Sequence, residues 1–497
     1  MPSCSRILRR LRRVAIAACG LACLEAGAAP LPAADDPVES AVVELPLAAT
    51  DGDMAEVDDG NAPDREQEIR REEEIREEEI QALVDAAVAA RLGGIPRPRY
   101  IPATDLAPPK GLLLYKAAPR AFPFAVSLGG FLQLRWLEFI RTADSWTYST
   151  GEPRPINNIN IFTLNRFLIS LSGHVVDERL VYSFAFFGTG NTGVRAGVVP
   201  IGMAGWKFDD AATVGIGVTQ VPGSREWINA SPWTIGVDRS MANTFFRPGF
   251  SPGAAAVGKL LDGKLFYEAG AWNAIDGGSS GVFRRGVSMA WAGNTWWEPW
   301  APFGIGYGDM EHHDEAAIRL GTSGVYAKTY ALGFLGQNPE DTIVRLSDGT
   351  PLVLPEALGP GSQVDRYRYQ LATVDAGWKY AGWAANVEYY FRTLDDFTGT
   401  GTFLRSSMLD HGGLGYLSWC YVPRTFEIYG RSSVVTGPYG TGQEYGMGFN
   451  WYVNRSRQGR FTLEALNMVH NPAQNVLYPY RAGYSGTAIQ TQFMCAF

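Results

Sequence analysis

The segment that most constrains this chain is Thr487–Phe497, which runs Thr-Ala-Ile-Gln-Thr-Gln-Phe-Met-Cys-Ala-Phe. Thr487, Ile489, Thr491, Phe493, Cys495 and Phe497 share one face of a strand, and Ala488, Gln490, Gln492, Met494 and Ala496 share the other. The period is two, with an apolar set opposed to a mostly polar or small one. About ten such residues cross a bilayer as a tilted strand. A single strand in lipid would leave its backbone N–H and C=O groups unpaired, so it must sit in a ring without edges. The segment therefore predicts a transmembrane β-barrel that its last strand closes.

The rest of the chain agrees. From Phe124 on, period-two segments predict sixteen antiparallel strands, near 125–140, 160–172, 179–188, 202–208, 213–220, 254–260, 264–272, 286–297, 316–328, 367–380, 383–394, 411–422, 425–436, 444–454, 460–470 and 486–497. Short links (209–212, 261–263, 381–382, 423–424, 455–459) alternate with longer ones (189–201, 221–253, 273–285, 329–366, 395–410, 437–443, 471–485). Outer-membrane barrels have short periplasmic turns and long outer loops, so the short links and Phe497 are expected on the periplasmic side. The connection 298–315 is the exception, long on the short side. Trp296, Trp297, Trp378, Tyr380, Trp383, Trp451 and Tyr452, near strand ends, suit interfacial girdles.

With 497 residues the chain has room for a large domain plus an extension. No apolar run reaches the roughly 20 residues of a membrane helix. Residues 1–28 read as a secretory signal, with Arg6, Arg9, Arg10, Arg12 and Arg13 before the apolar stretch Val14–Leu24 and a small-residue site at Ala26-Gly27-Ala28. Ile16-Ala17-Ala18-Cys19 resembles a lipoprotein box, but only about five apolar residues precede the cysteine. Residues 29–63 are an acidic linker with little to bury. Residues 64–93 read as a helix, capped by Asp64 and ended by Gly93-Gly94. Its narrow stripe of Ile69, Ile80, Leu83, Val84, Ala87 and Val88 points to a coiled coil or to a lone charged helix. Residues 94–123 form a Pro-rich linker to a barrel over 124–497. Residues 29–115 carry 20 acidic and 8 basic side chains, whereas residues 116–497 carry 30 of each. An acidic arm on a neutral body gives nucleic acid nothing to bind.

Several pieces of the body, in order, resemble one family. They are Val221-Pro222-Gly223-Ser224-Arg225-Glu226-Trp227, Val237-Asp238-Arg239-Ser240, Arg247-Pro248-Gly249, Leu261-Asp262-Gly263-Lys264-Leu265-Phe266-Tyr267, Asp309-Met310-Glu311-His312-His313, and Glu444-Tyr445 with Asn450-Trp451-Tyr452. Over roughly residues 120–497 the chain resembles the phosphate-selective porin O and P family of bacterial outer-membrane channels. The resemblance implies a sixteen-stranded barrel, usually trimeric, with a loop folded into the pore and, in some members, an N-terminal periplasmic coiled coil. It implies an outer-membrane location, lipid as surroundings, and recognition of Phe497 by the barrel-insertion machinery.

Candidate chemistry lies mostly inside the ring. The connection 221–253 is the candidate constriction, where Arg225, Arg239 and Arg247 either present guanidinium forks to an oxyanion or pair structurally with Glu226 and Asp238. Strand parity puts Arg135, Arg319, Lys379, Arg392 and Arg431 in the lumen, with Glu268, Asp375, Glu388, Glu427 and Glu464. Mixed signs favour a general solute pore over a single-sign selective ring, and cross-strand pairing accounts for some of these charges without transport. Met310–Glu315 has imidazoles and carboxylates but no standard zinc spacing, so no metal is expected. Asp410-His411 is the one pair tempting for hydrolysis, no enzyme is expected, and no nucleotide-cradling glycine motif or other cofactor signal is found. Cys420 is expected inward and Cys495 toward lipid, so a disulfide between them is not. The function expected is a water-filled channel for passive diffusion of small hydrophilic solutes, anions such as phosphate among them. The alternative is a tether, with a plugged barrel and a periplasmic coiled coil.

Overall fold

The computed structural model describes residues 111–117, 122–190, 197–276, 289–330, 340, 342–475 and 479–497. The signal segment, the acidic linker and the helix expected over 64–93 lie outside the described residues. Sixteen antiparallel strands close into one ring. They are β1 (Phe124–Arg141), β2 (Ile159–Val175), β3 (Asp177–Gly190), β4 (Gly197–Lys207), β5 (Thr213–Gln220), β6 (Phe250–Leu260), β7 (Leu265–Trp272) and β8 (Ala290–Trp297). They continue with β9 (Ala317–Tyr330), β10 (Gln363–Tyr380), β11 (Trp383–Thr400), β12 (Ser407–Val422), β13 (Phe426–Gly437), β14 (Gly440–Tyr452), β15 (Gly459–Val469) and β16 (Gly486–Ala496). All sixteen expected strands are present, in the expected order. Among the described residues no helix is long and apolar enough to cross a membrane.

The last strand closes the ring. β16 pairs with β1 from Gly486↔Arg141 to Ala496↔Phe131. Phe497 and Gly130 exchange both backbone hydrogen bonds, at 3.0 and 3.1 Å. Beyond Phe497 the start of β1 would be left with a bare edge. A short strand, Leu112–Lys116, fills that place, with Leu112 opposite Leu128 and Lys116 opposite Ala125. It arises in the stretch read as a linker, because β1 outruns its partner and an open edge leaves polar backbone groups unpaired.

The links alternate as expected, the long link 298–316 on the short-link rim included, with one departure. On the short-link rim, β2 and β3 are joined by Val176 alone, and β10 and β11 by Ala381-Gly382 at φ 49 and 84. These positive angles at both central residues match the twist of the flanking strands. On the long-link rim, β13 and β14 are joined by only Pro438-Tyr439, so the connection expected over 437–443 is mostly strand. On the short-link rim, the link 298–316 is long and turns inward.

The two faces are inverted relative to a water-soluble protein. Outward positions such as Trp291, Val374, Val387, Leu417, Tyr445 and Met447 are exposed, and the charges assigned inward are buried. That arrangement is stable only where lipid meets the apolar face. An aromatic girdle lies at the short-link rim, where Trp383 stacks on Trp419 at 5.1 Å and Trp419 meets Tyr421 edge-on. Trp296 and Tyr452 leave the expected girdle. Trp296 stacks on Phe266 inside the ring, and Tyr452 donates to Glu427 at 2.7 Å. Neighbours in a strand point oppositely, so Trp296 and Trp297 cannot share a face.

Met447→Arg, at an outward site 71% exposed, should destabilise the barrel by about 2–4 kcal/mol if it lies near the bilayer midplane. Urea unfolding in lipid vesicles checks this.

Candidate functional site

The connection between β5 and β6 does not stay outside. Residues 221–249 fold into the lumen and are buried almost throughout. Two short helices organise them. Ser224 caps α1 (Arg225–Ile228) by accepting from Trp227 N–H at 3.2 Å, and Ser240 caps α2 (Met241–Phe246) by accepting from Asn243 N–H at 3.0 Å. Glu226 ties the helices together, accepting from the Ser240 amide at 3.0 Å and hydroxyl at 2.6 Å and from Tyr416 on β12.

Wall side chains satisfy the loop's backbone. Arg460 donates to Thr234 O at 2.6 Å and Asn450 to Ile235 O at 2.9 Å. Tyr369 donates to Phe246 O at 2.6 Å, and Glu388 accepts from the Glu226 amide at 3.0 Å. Asp238 lies between Arg135 on β1, at 2.7 Å, and Arg166 on β2, at 2.5 Å. Arg166 was not expected inward. The register of β1 and β2 shifts between Gln133 and Leu134, and this bulge places both Asn165 and Arg166 inside.

Two further segments enter the ring. From the short-link rim, 298–316 rises under β9–β14. Lys379 donates to Ile305 O at 3.1 Å, Asn386 to Tyr307 O at 3.0 Å, and Arg457 holds Glu311 at 2.7 Å. From the long-link rim, 342–362 descends and packs Val344, Leu346, Leu352 and Val353 into an apolar core with Tyr390, Leu394 and Phe246. The inserts from opposite rims meet at Arg225. Its guanidinium lies 5.0 Å from the Phe303 ring and 4.6 Å from the Tyr307 ring, and donates to Asn386 at 2.8 Å.

The expected lumen charges are all inward, and all but Glu268 have a polar or charged partner; the buried Glu268 carboxyl has none among the described residues. Arg319 and Asp375 are 3.3 Å apart, Arg392 meets Asp410 at 2.8 Å, and Arg431 bridges Glu444 at 2.8 Å and Glu464 at 3.1 Å. Arg392 also donates to Phe245 O and Arg345 O, and Arg431 to Asp238 O, so both hold inserts in place. These charges are wall anchors first, and where the inserts cover them they do not face open water.

The three candidate arginines of the constriction therefore differ. Arg225 is buried between the inserts. Arg239 donates to the carbonyls of Glu226, Trp227 and Asn229, at 2.7–3.3 Å. Arg247 is half-buried and lies 4.1 Å over the Trp227 indole. Among the described residues its guanidinium has no hydrogen-bond acceptor. Burial, together with Arg239 and Arg166, pushes its pKa down to about 9 despite the opposing charge of Asp276. Two cations and one anion, Asp276, thus act on it. Arg239 and Arg247 lie over Trp227, which meets Phe250 at the start of β6 edge-on, and Phe250 in turn lies 6.2 Å from Phe187 on β3.

The other candidates resolve by face. Asp410 is inside, bound to Arg392, while His411 accepts from or donates to Tyr389 on the outer face at 2.7 Å, so the two do not act together. Asp309, Glu311 and His313 bring potential metal donors within 4.8 Å of one another. Each is already engaged: Glu311 by Arg457, Asp309 by His313 and the Gly382 amide, and His313 at both ring nitrogens. Cys420 is buried on the inner face, and both it and Cys495 are free thiols.

No protein-family model and no curated protein matches this chain. Solved structures that align with it include an anion-selective porin from Comamonas acidovorans, at 12% identity and a TM-score of 0.47, over 75% of this chain and 99% of that one. They include the outer-membrane protein OmpT of Vibrio cholerae, at 12% identity and a TM-score of 0.45, over 77% of this chain and 100% of that one. The outer-membrane channel DcaP of Acinetobacter baumannii aligns at 10% identity and a TM-score of 0.45, over 77% of this chain and 100% of that one. Likenesses this distant carry no argument here about solutes.

Arg431→Met should destabilise the barrel by about 3–5 kcal/mol, because it strands two buried carboxylates and frees the loop at Asp238. A lowered urea midpoint in vesicles, rescued to some extent by adding Glu444→Gln, checks it.

Proposed function

We propose that the chain is an outer-membrane channel for passive diffusion of small hydrophilic solutes, biased toward anions such as phosphate. The observation that carries this is Arg247. A guanidinium with no acceptor among the described residues, held on Trp227 and beside two other arginines, is a standing site for an oxyanion. Arg239 supports it at the same indole, at 5.0 Å. Arg225 serves the site indirectly, by fixing α1. Arg135, Arg319, Lys379, Arg392 and Arg431 contribute the positive half of a mixed field whose carboxylates lie beside them.

The remaining reading follows from the inverted faces. An apolar exterior with a girdle at the short-link rim suits the outer membrane, with that rim and the N-terminal arm in the periplasm. Homotrimer formation, a coiled-coil arm over 64–93 and recognition of Phe497 during insertion belong to the same proposal. The likeness to phosphate-selective porins supplies phosphate as the first anion to test.

In planar bilayers at about 0.1 M salt, where charges act over about 10 Å, the protein should give discrete conductance steps. Its reversal potential in a salt gradient should show anion preference. Arg247→Ala should move that potential toward cations, with a smaller change for Arg239→Ala. An unchanged potential in both variants would remove the arginine pair from the selectivity account. Phosphate that neither blocks nor competes with chloride would remove phosphate as the preferred anion.

A further inference from the structure

One imidazole joins two ends of the link 298–316, which Lys379, Asn386 and Arg457 also hold to the wall. His313 Nδ1 faces the Asp309 carboxylate, and Nε2 lies 3.0 Å from the Pro302 carbonyl oxygen. A carboxylate and a carbonyl only accept, so the two contacts are both hydrogen bonds only when both ring nitrogens carry hydrogen, as in an imidazolium. Asp309 also accepts from the His313 amide at 3.1 Å and from the Gly382 amide, in the β10–β11 turn, at 2.8 Å. The Ala381 amide in turn donates to His313 O at 2.9 Å. One protonated ring thus ties both ends of the link's inward fold to each other and to the wall.

We propose that His313 is a proton-operated latch on the channel inferred above. Protonated, it keeps 298–316 seated across the β9–β14 side of the lumen. On losing one proton it keeps a single N–H, so one of its two contacts becomes lone pair against lone pair, and the link is released toward the short-link rim. Release withdraws Phe303 and Tyr307 from Arg225 and vacates the space that the link fills.

The charges around the ring set the direction. Asp309 lies on the link itself. Lys379 comes from β10 and is committed to Ile305 O, while the Glu311–Arg457 pair joins the link to the β14–β15 turn. His312, Asp314 and Glu315 flank the ring in sequence. The Asp309 hydrogen bond, opposed by burial and by Lys379, raises His313 above its ordinary value of about 6.5. Burial pushes Asp309 up, but the His313 and Gly382 hydrogen bonds outweigh it and leave Asp309 below the usual carboxylate value. A raised pKa stabilises below the unfolded value and stops doing so as pH rises through the folded one. A depressed carboxylate loses its contribution as pH falls through its own folded value. The link is therefore seated between the two, and released on the alkaline side.

Cys420 reports the change directly. It faces the lumen, is 0% exposed, and donates its amide to Gly382 O at 2.8 Å, beside the His312 ring. The test uses the whole protein in planar bilayers over graded pH, and a polar maleimide on Cys495→Ser protein at one fixed near-neutral pH below the wild-type rise, where enough thiolate forms to react. Wild-type conductance should rise on the alkaline side. His313→Gln, neutral at every pH, should show a flat profile at the higher level and fast labelling of Cys420 where wild type is protected. Asp309→Asn should move the wild-type rise down by about one to three pH units. If His313→Gln keeps the wild-type pH profile and leaves Cys420 protected, the latch is wrong. If no variant conducts but Cys420 protection still follows His313, the latch stands and the channel reading fails. Should His313→Gln fail to insert, the Asp309→Asn shift decides alone, and its absence overturns the latch.

Discussion

Buried charges on the barrel wall and polar backbone on the inserted segments depend on each other. Arg392, Arg431, Arg460, Asn450 and Glu388 each reach a carbonyl or amide of a segment that has left the wall. Without the inserts those side chains would need water, and without the wall the inserts would bury unpaired backbone groups at about 1–3 kcal/mol each. The lumen is therefore assembled as a polar interior, and most charges of its wall are tied to structure. Removing one partner costs more than the pair contributes, because the other stays buried and alone.

This explains why the lumen is uneven. Facing β9–β16, three inserts pack against the wall and build an apolar core around Phe246 and Tyr390. On β2 and β4, residues such as Ser172 and Met203 are only half-buried. The packed inserts and the half-buried side chains thus lie on different sides of one ring. A loop that spends Arg225 on rigidity can leave Arg247 without an acceptor, because α1, its cap Ser224 and the Glu226 clamp already hold Trp227 in place.

The strands were legible because a period of two survives wherever one face meets lipid and the other does not. Strand 383–394 shows it plainly, with Trp383, Val387, Tyr389 and Phe391 opposed to Asn386, Glu388 and Arg392. Alternation says nothing, however, about where a link goes once it leaves the wall. The link 298–316 stood out only by its length, and its inward turn depends on contacts with Lys379, Asn386 and Arg457, all distant in sequence. The inward turn of Arg166 depends on a bulge, which breaks the parity by which the other charges were placed. At the candidate site, the residue type and position of Arg225, Arg239 and Arg247 were legible. Their different employment was not, since it follows from which acceptors the folded loop brings near.

The short strand Leu112–Lys116 also has a mechanical meaning. It joins β1 as a hairpin, entering level with Leu128 and turning back at Ala117, whose amide bonds Phe124 O at 2.8 Å. Tension applied through Gly111 would meet these pairs from their open end, so they would break in succession, as the teeth of a zipper do. The next element in the load path, β1, is bonded along both edges, to β16 and β2, and would have to slide many bonds at once. The first few residues of the domain thus act as a mechanical fuse, giving way under a modest pull while the wall stays sealed.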